Sequence, residues 1–354
     1  MEVFVYTTPT MEEEIANPED RLVKPELQLE EEDSLDTTLR PKRLDDFIGQ
    51  EQLKESLGIA LAAAKKRDEA LEHVLLYGNP GLGKTTLASI IAREMDAPIK
   101  ITSGPALEKV GDLAAILSNL QPGEVLFIDE IHRLNKTIEE VLYPALEDYS
   151  LDIILGHGPA ARTIRMPLNR FTLIGATTKL SLISNPLRDR FGHTLHLSFY
   201  EPKDIEKIIT RNASLLNVAA EPSAVELIAA RARRTPRIAN RLLKRIRDVA
   251  EVEGNGAIDE ATTNRSFKLL GIDEQGLDET DRRLLKTLIE KFAGGPVGLN
   301  TLSAAIAEEM DTIETIYEPF LLQIGFLERT PRGRKATPSA YQHLGLNNYP
   351  KTLV

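Results

Sequence analysis

The sequence predicts an α/β protein in three folded parts: a largely parallel sheet with helices on both faces, an all-helical domain, and a winged helix. Three observations predict it. Over residues 39–200, short apolar runs alternate with segments of helical periodicity, the pattern of a parallel sheet covered on both sides. Over 201–275 the strand-like runs stop and helical patterns continue between breaks such as "NGAID" and "GIDEQG". Over 276–346, three helical stretches precede two short extended runs around a basic turn, the arrangement of a winged helix-turn-helix.

The elements follow in chain order. Residues 1–38 contain "EEEIANPED" and "LEEEDS", with twelve Asp/Glu against Arg21 and Lys24, and read as a solvated, disordered acidic leader. That leader accounts for nearly all of the formal charge of −11, so total acidity does not argue against a basic patch elsewhere. "HVLLY" (73–77), "APIKITS" (97–103), "EVLFID" (124–129) and "FTLIGATT" (171–178) read as strands, with "TTLASIIAREM" and "DLAAILSNL" as helices between them. Residues 149–171 break the rhythm: "LDIIL" and "RTIRM" flank a Gly/Pro-containing bend, which predicts an inserted β-hairpin. The helical domain holds "EPKDIEKIITRNASLLN", "PSAVELIAARAR", "TPRIANRLLKRIRDVAEVEG" and "DEATTNRSFKLL". The winged helix holds "DETDRRLLKTLIEKF", "GLNTLSAAIAEE" and "TIETIYEPFLLQIG", then "FLERTPRGRKATP" as strand, turn and strand, and residues 347–354 read as a loose tail.

Length and composition bound the rest. At 354 residues the chain exceeds one ordinary domain, and 42% apolar residues suffice for real cores. No apolar run is long enough to span a bilayer, and the N-terminus lacks the basic and apolar regions of a secretory leader. There is no cysteine, and the six histidines show no zinc-ligand spacing. Disulfides and thiolate metal sites are excluded, which fits a cytoplasmic protein.

The chemistry is carried by a few strand ends. Gly78-Asn79-Pro80-Gly81-Leu82-Gly83-Lys84-Thr85 matches G-x-x-x-x-G-K-[ST] between an apolar strand and a helix. Its backbone N–H groups and the helix dipole suit a phosphate, with Lys84 reaching the β/γ-phosphates, Thr85 on Mg²⁺ and Thr86 beside the α-phosphate. About 45 residues on, "VLFIDE" ends a buried strand in Asp129 and Glu130. Paired carboxylates there suit a metal-bound water and a general base. "GATT" places Thr177 or Thr178 where a γ-phosphate could be sensed, and "NPLRDRF" offers Arg188 and Arg190 to a neighbouring subunit's phosphate.

The order of phosphate loop, "FIDE", "GATT", "LRDRF" and "TPRIANRLLKR" resembles the AAA+ ATPases, a P-loop NTPase core with a helical lid, and within them the RuvB family of Holliday-junction branch-migration motors. The resemblance runs from about Leu39 to Leu346, through blocks such as "RPKRLDDFIGQ", "YPALEDYSLDIILGHGPAARTI", "GGPVGLNTL" and "RTPRGRKAT". It divides the chain into a large ATPase domain (39–200), a lid (201–275) and a winged-helix DNA-binding domain (276–346). It implies ATP and Mg²⁺ as cofactors, with Leu39 and Arg40 on the adenine and ribose side and Phe47, Ile48 and Tyr200 nearby. Gly81, Lys84, Thr85 and Thr86 would hold phosphates and metal, and Asp129 and Glu130 would be the Walker B pair. Thr177 would be the first sensor, Arg190 the finger acting in trans, and Arg237 the second sensor. Glu147, Asp148 and Tyr149 would lie by a nucleotide at a subunit boundary. The hairpin at 151–165 resembles the element that grips RuvA, with Ile153, Ile154 and Leu155 as candidate contacts. Arg329, Arg332 and Arg334 of the wing would face DNA phosphates rather than base edges.

The implied protein is a homohexameric DNA motor of recombination and repair, acting on double-stranded DNA at Holliday junctions with RuvA and the RuvC resolvase. Two other readings stay open at this point: a clamp-loader-like AAA+ switch, and a winged-helix regulator that only senses nucleotide. The phosphate loop departs from the family's usual Gly-Pro-Pro in having Asn79, a free position of the motif at which Asn tolerates turn geometry.

Overall fold

The computed structural model describes residues 38–155 and 162–346. The leader 1–37, the hairpin tip 156–161 and the tail 347–354 lie outside the described residues, as do the side chains of Ile153, Ile154 and Leu155.

Five parallel strands form the central sheet: β1 (Val74–Tyr77), β2 (Ile99–Ser103), β3 (Val125–Asp129), β6 (Thr172–Thr177) and β7 (His193–His196), in the order β2-β3-β6-β1-β7. Alternation along each strand sorts the core into two layers, because successive side chains point to opposite faces. Val74, Leu76, Val125, Phe127, Ile174 and Ala176 face one layer, which they share with the lid residues Ile205, Leu242 and Ile246. Leu75, Leu126, Ile128 and Leu173 face the other, packed on Leu142, Phe171 and Leu187. Four of the five strands fall within segments read as strands from the sequence. The fifth, β7, escaped that reading because its half-exposed pattern carries His193, Thr194 and His196 at the sheet's edge. Helices Glu51–Arg67 and Lys136–Glu147 add cover that the sequence reading did not delimit.

The inserted hairpin is present as its own two-stranded sheet, β4 (Ser150–Leu155) against β5 (Arg162–Pro167), with Ser150 paired to Pro167 and Leu155 to Arg162. The lid comprises helices Pro202–Leu215, Pro222–Arg231, Pro236–Glu253 and Glu260–Leu270. Three of them start with proline at the first helical position, where its fixed φ fits and its missing N–H costs nothing. The winged helix has its own core, built from Leu284, Leu288, Leu302, Ile313, Leu321 and Tyr341 among others. Its helices are Glu279–Glu290, opened by an Asp278/Asp281 capping box, Leu299–Ile306, and a third run that passes through a π-helical stretch at Ile313–Tyr317. The wing is β8 (Leu327–Thr330) against β9 (Gly333–Ala336), and a short helix Pro338–His343 follows, which the sequence reading did not delimit.

Candidate nucleotide site and wing

Parallel pairing fixes the site at the C-terminal ends of the strands, where open α/β sheets bind ligands. Tyr77 of β1 pairs with Thr177 of β6, and β6 pairs in turn with β3 through Ile128 and Gly175. The strand ending in "GAT" therefore lies between the phosphate-loop strand and the carboxylate strand, which are not themselves neighbours.

The phosphate loop is held open by backbone geometry. Gly78, Gly81 and Gly83 all have positive φ, and the Lys84–Glu94 helix starts directly on Gly83. At Gly81 a Cβ would lie 2.9 Å from both Arg237 Cβ and Thr235 Cγ2, so glycine is required there by conformation and by space. The lid lays Arg237 against the phosphate loop, and its backbone N–H donates to Gly81 O at 3.4 Å. Tyr200 O–H donates to Leu82 O at 3.2 Å, and the Phe47 ring packs 3.3 Å from a Cβ at Gly83. Leu39 and Arg40 belong to the separate N-terminal unit that ends at Arg40.

Lys84 is buried and donates to Gly78 O at 2.8 Å and Asn79 O at 2.9 Å. Burial lowers its pKa to about 8, against the opposing pull of Asp129. Thr85 Oγ1 lies 3.4 Å from Asp129 Oδ2, while Asp129 Oδ1 accepts the Glu130 N–H at 2.9 Å. A hydroxyl and a carboxylate this close, next to a buried ammonium, are the donor set for a magnesium nucleotide, so the residues present fit that ligand. Glu130 sits in the left-handed region (φ 48°) and pairs with Arg133 at 3.3 Å, which holds a half-exposed carboxylate at the site's rim.

Thr177 is buried and its hydroxyl is already used: it accepts the Lys179 N–H at 2.9 Å and lies 3.0 Å from His132 Nδ1. Burial lowers the His132 pKa, and its Nδ1 and the Thr177 hydroxyl share one hydrogen bond. Thr178, one residue on, lines a cleft together with Asn79 and Pro80 of the phosphate loop. The structure thus ties Thr177 to His132 and leaves Thr178 on the wall of a cleft that the phosphate loop also lines. Sequence reasoning missed His132, although its place two residues after "DE" was a signal.

Arg190 donates to Pro186 O at 2.6 Å and Glu147 Oε2 at 2.8 Å, stacks 4.7 Å over Tyr143, and keeps Nε buried with no partner. Arg190 and Glu147, singled out separately in the sequence, are therefore one cluster. Arg188 instead bonds Asn185 Oδ1. Asp148 lies 3.6 Å from Arg165. Tyr149 has φ 49° and packs its ring edge-on to Phe171 at 5.9 Å under Arg170, so that ring is used inside its own chain.

The wing arginines divide. Arg329 Nε donates to Glu318 Oε1 at 2.7 Å and Arg334 Nη2 to Glu318 Oε2 at 2.9 Å, with Glu318 buried. Arg329 is still half exposed, but Arg334 keeps only 12% of its side chain in water. Arg332, at the turn, is exposed. One role was expected of all three, whereas the structure makes Arg334 chiefly an internal ion-pair partner.

Residues 39–197 match the family described as the Holliday junction DNA helicase RuvB P-loop domain, 200–273 the RuvB AAA lid domain, and 274–345 the RuvB C-terminal winged helix domain. The chain belongs to the RuvB family. It is 58% identical over 332 residues to the Holliday junction branch migration complex subunit RuvB of Dehalococcoides mccartyi, covering 94% of this chain and 95% of that one. The Chloroflexus aggregans RuvB subunit is 58% identical over 327 residues, 92% of this chain and 93% of that one. The structure of the Thermotoga maritima RuvB Holliday junction branch migration motor superposes with a TM-score of 0.81 at 53% identity, covering 88% of this chain and 99% of that one. This RuvB-family chain is accordingly a P-loop nucleotide-binding protein with an AAA lid and a winged helix. Among the described residues no helix is long and apolar enough to cross a membrane.

Proposed function

We propose that this chain is an ATP-hydrolysing motor that drives branch migration of Holliday junctions, as a homohexameric ring working with RuvA and, downstream, the RuvC resolvase. The packing of Arg237 on Gly81 carries most weight. The lid touches the loop that would hold the phosphates, so filling or emptying that loop must alter how the lid sits. Lid and ATPase domain also share a core, so such a change is transmitted by packed side chains rather than by a loose linker.

In this reading Lys84 turns from the loop carbonyls to the β/γ-phosphates, and Thr85 and Asp129 would hold Mg²⁺, which would supply charge neutralisation at the transferring phosphoryl group. Glu130 accepts the proton of the attacking water, held in place by Arg133. Arg190, with one nitrogen unpartnered, is offered to the neighbouring subunit's γ-phosphate. Arg332 and the half-exposed Arg329 follow the DNA backbone, which suits a motor indifferent to sequence. The candidate RuvA contacts Ile153, Ile154 and Leu155 stand on β4, in the hairpin that forms its own two-stranded sheet.

Dissociation of a synthetic four-way junction tests the reading. ATP and RuvA together should drive it, and Lys84→Ala should abolish it. Junction dissociation that proceeds equally without ATP, or none under any of these conditions, overturns the proposal.

A further inference from the structure

Lys179 follows β6 by two residues and belongs to both halves of the molecule. Its backbone N–H donates to Thr177 Oγ1, while its ammonium reaches the winged helix, 2.5 Å from Asp311 Oδ1 and 3.5 Å from Glu314 Oε2. The Lys179 hydrogen bond is the main cause holding the Asp311 carboxyl below its usual range, and Arg133 and His132 act on it in the same direction. The residues that follow both the carboxylate strand and the sensor strand thus converge on one acidic side chain of the winged helix.

Glu314 is shared. Its Oε1 also accepts from Arg329 Nη2 at 3.2 Å and lies 3.9 Å from Arg334 Nη2. Lys179, Arg329 and Arg334 are thereby distributed over Asp311, Glu314 and Glu318. A cavity of about 850 Å³ brings the parts together, lined by Asn79, Pro80, Thr178 and Lys179 on one side and Glu314 and Arg329 on the other.

We infer that Lys179 is a positioning residue that couples DNA on the wing to ATP turnover, because it shares Glu314 with Arg329, each cation holding a different carboxylate oxygen. The inference rests on the motor reading above. A DNA phosphate that draws the half-exposed Arg329 off Glu314 leaves that carboxylate to Lys179. The bridge then tightens and holds the segment after Thr177 against the phosphate loop. Linkage makes this reciprocal: a nucleotide state that seats Lys179 on Glu314 releases Arg329 to DNA. Without Lys179, Arg329 stays on Glu314 and the wing no longer reports to β6.

The test measures ATP hydrolysis by the full chain with and without duplex DNA, alongside DNA affinity. Lys179→Met and Asp311→Asn should each lower the ratio of DNA-stimulated to basal kcat by about two- to fivefold, the range a partly exposed ion pair supports. Lys179→Arg should restore the ratio, and Asp311→Asn should leave basal kcat unchanged. Parental stimulation in both Lys179→Met and Asp311→Asn overturns the inference. So does an equal loss of basal and stimulated kcat that Lys179→Arg does not rescue, the mark of a purely structural role. An unsubstituted chain whose hydrolysis ignores DNA brings down the motor reading and the inference together, whereas a responsive parent with responsive variants removes the inference alone.

Discussion

Raising the pH from 7 to 9 should weaken nucleotide binding through Lys84. Its ammonium is buried against the loop carbonyls of Gly78 and Asn79, and burial lowers its pKa to about 8. In the free protein about nine-tenths of the lysine is charged at pH 7 and only about a tenth at pH 9. Nucleotide phosphates hold it charged when bound, so binding at pH 9 must first take up a proton. The dissociation constant should therefore rise about tenfold over this range, close to one factor of ten for a single group crossing its pKa by one unit. Titration calorimetry with ADP in two buffers of different ionisation enthalpy reads both quantities, the affinity and the proton uptake. Lys84→Arg supplies the control, since guanidinium stays charged throughout and its pH dependence should be flat. A dissociation constant that does not move between pH 7 and pH 9 in the unsubstituted chain, or binding without proton uptake at pH 9, refutes the reasoning. The same shift has a consequence for folding. Between about 8 and the ordinary lysine value of about 10.4, the unfolded chain keeps the proton that the folded chain gives up. Stability of the nucleotide-free protein therefore gains from this group as pH rises through that window.

Glu130→Gln should bind ATP with parental affinity while hydrolysing it about 100-fold more slowly or worse, read by single-turnover assay. Gly81→Ala should cost about 1–3 kcal/mol in thermal unfolding and loosen nucleotide binding, because its φ of +78° is strained for alanine and the new methyl meets Arg237; a parental melt would show that the loop relaxes freely. Arg190→Ala should be inactive alone yet partly rescued in mixed assemblies with Lys84→Ala, as each supplies what the other lacks. Arg332→Ala should lower the salt slope of DNA binding by about one, whereas Arg334→Ala should show mainly as lost stability, about 1–3 kcal/mol, since it strips a partner from buried Glu318.

Strands β1, β3 and β6 were legible because a strand buried on both faces must be continuously apolar, and "VLLY", "VLFID" and "TLIGAT" are. The lid helices were legible through their opening prolines and apolar periodicity. Edge strand β7 was not, because its four residues, His193 to His196, hold a single apolar side chain, Leu195. His132 and Lys179 were also missed as participants. The position of His132 after "DE" hinted at a role but not at its partner, and the partners of the two residues, Thr177, Asp311 and Glu314, lie from 2 to 135 positions away along the chain.

By itself the sequence determined the phosphate loop, the carboxylate pair and the order of the three domains, since each of these is local: glycines set the loop's dihedrals, and hydrophobic period sets the element. Only the tertiary structure decided that Thr177 is bonded to His132 while Thr178 lines a cleft beside the loop, that Arg237 rests on Gly81, and that Arg334 is tied to Glu318. Whether a charged or hydroxyl side chain is free to meet a ligand depends on which partners reach it first, and those partners are brought by packing from elements that local pattern does not connect.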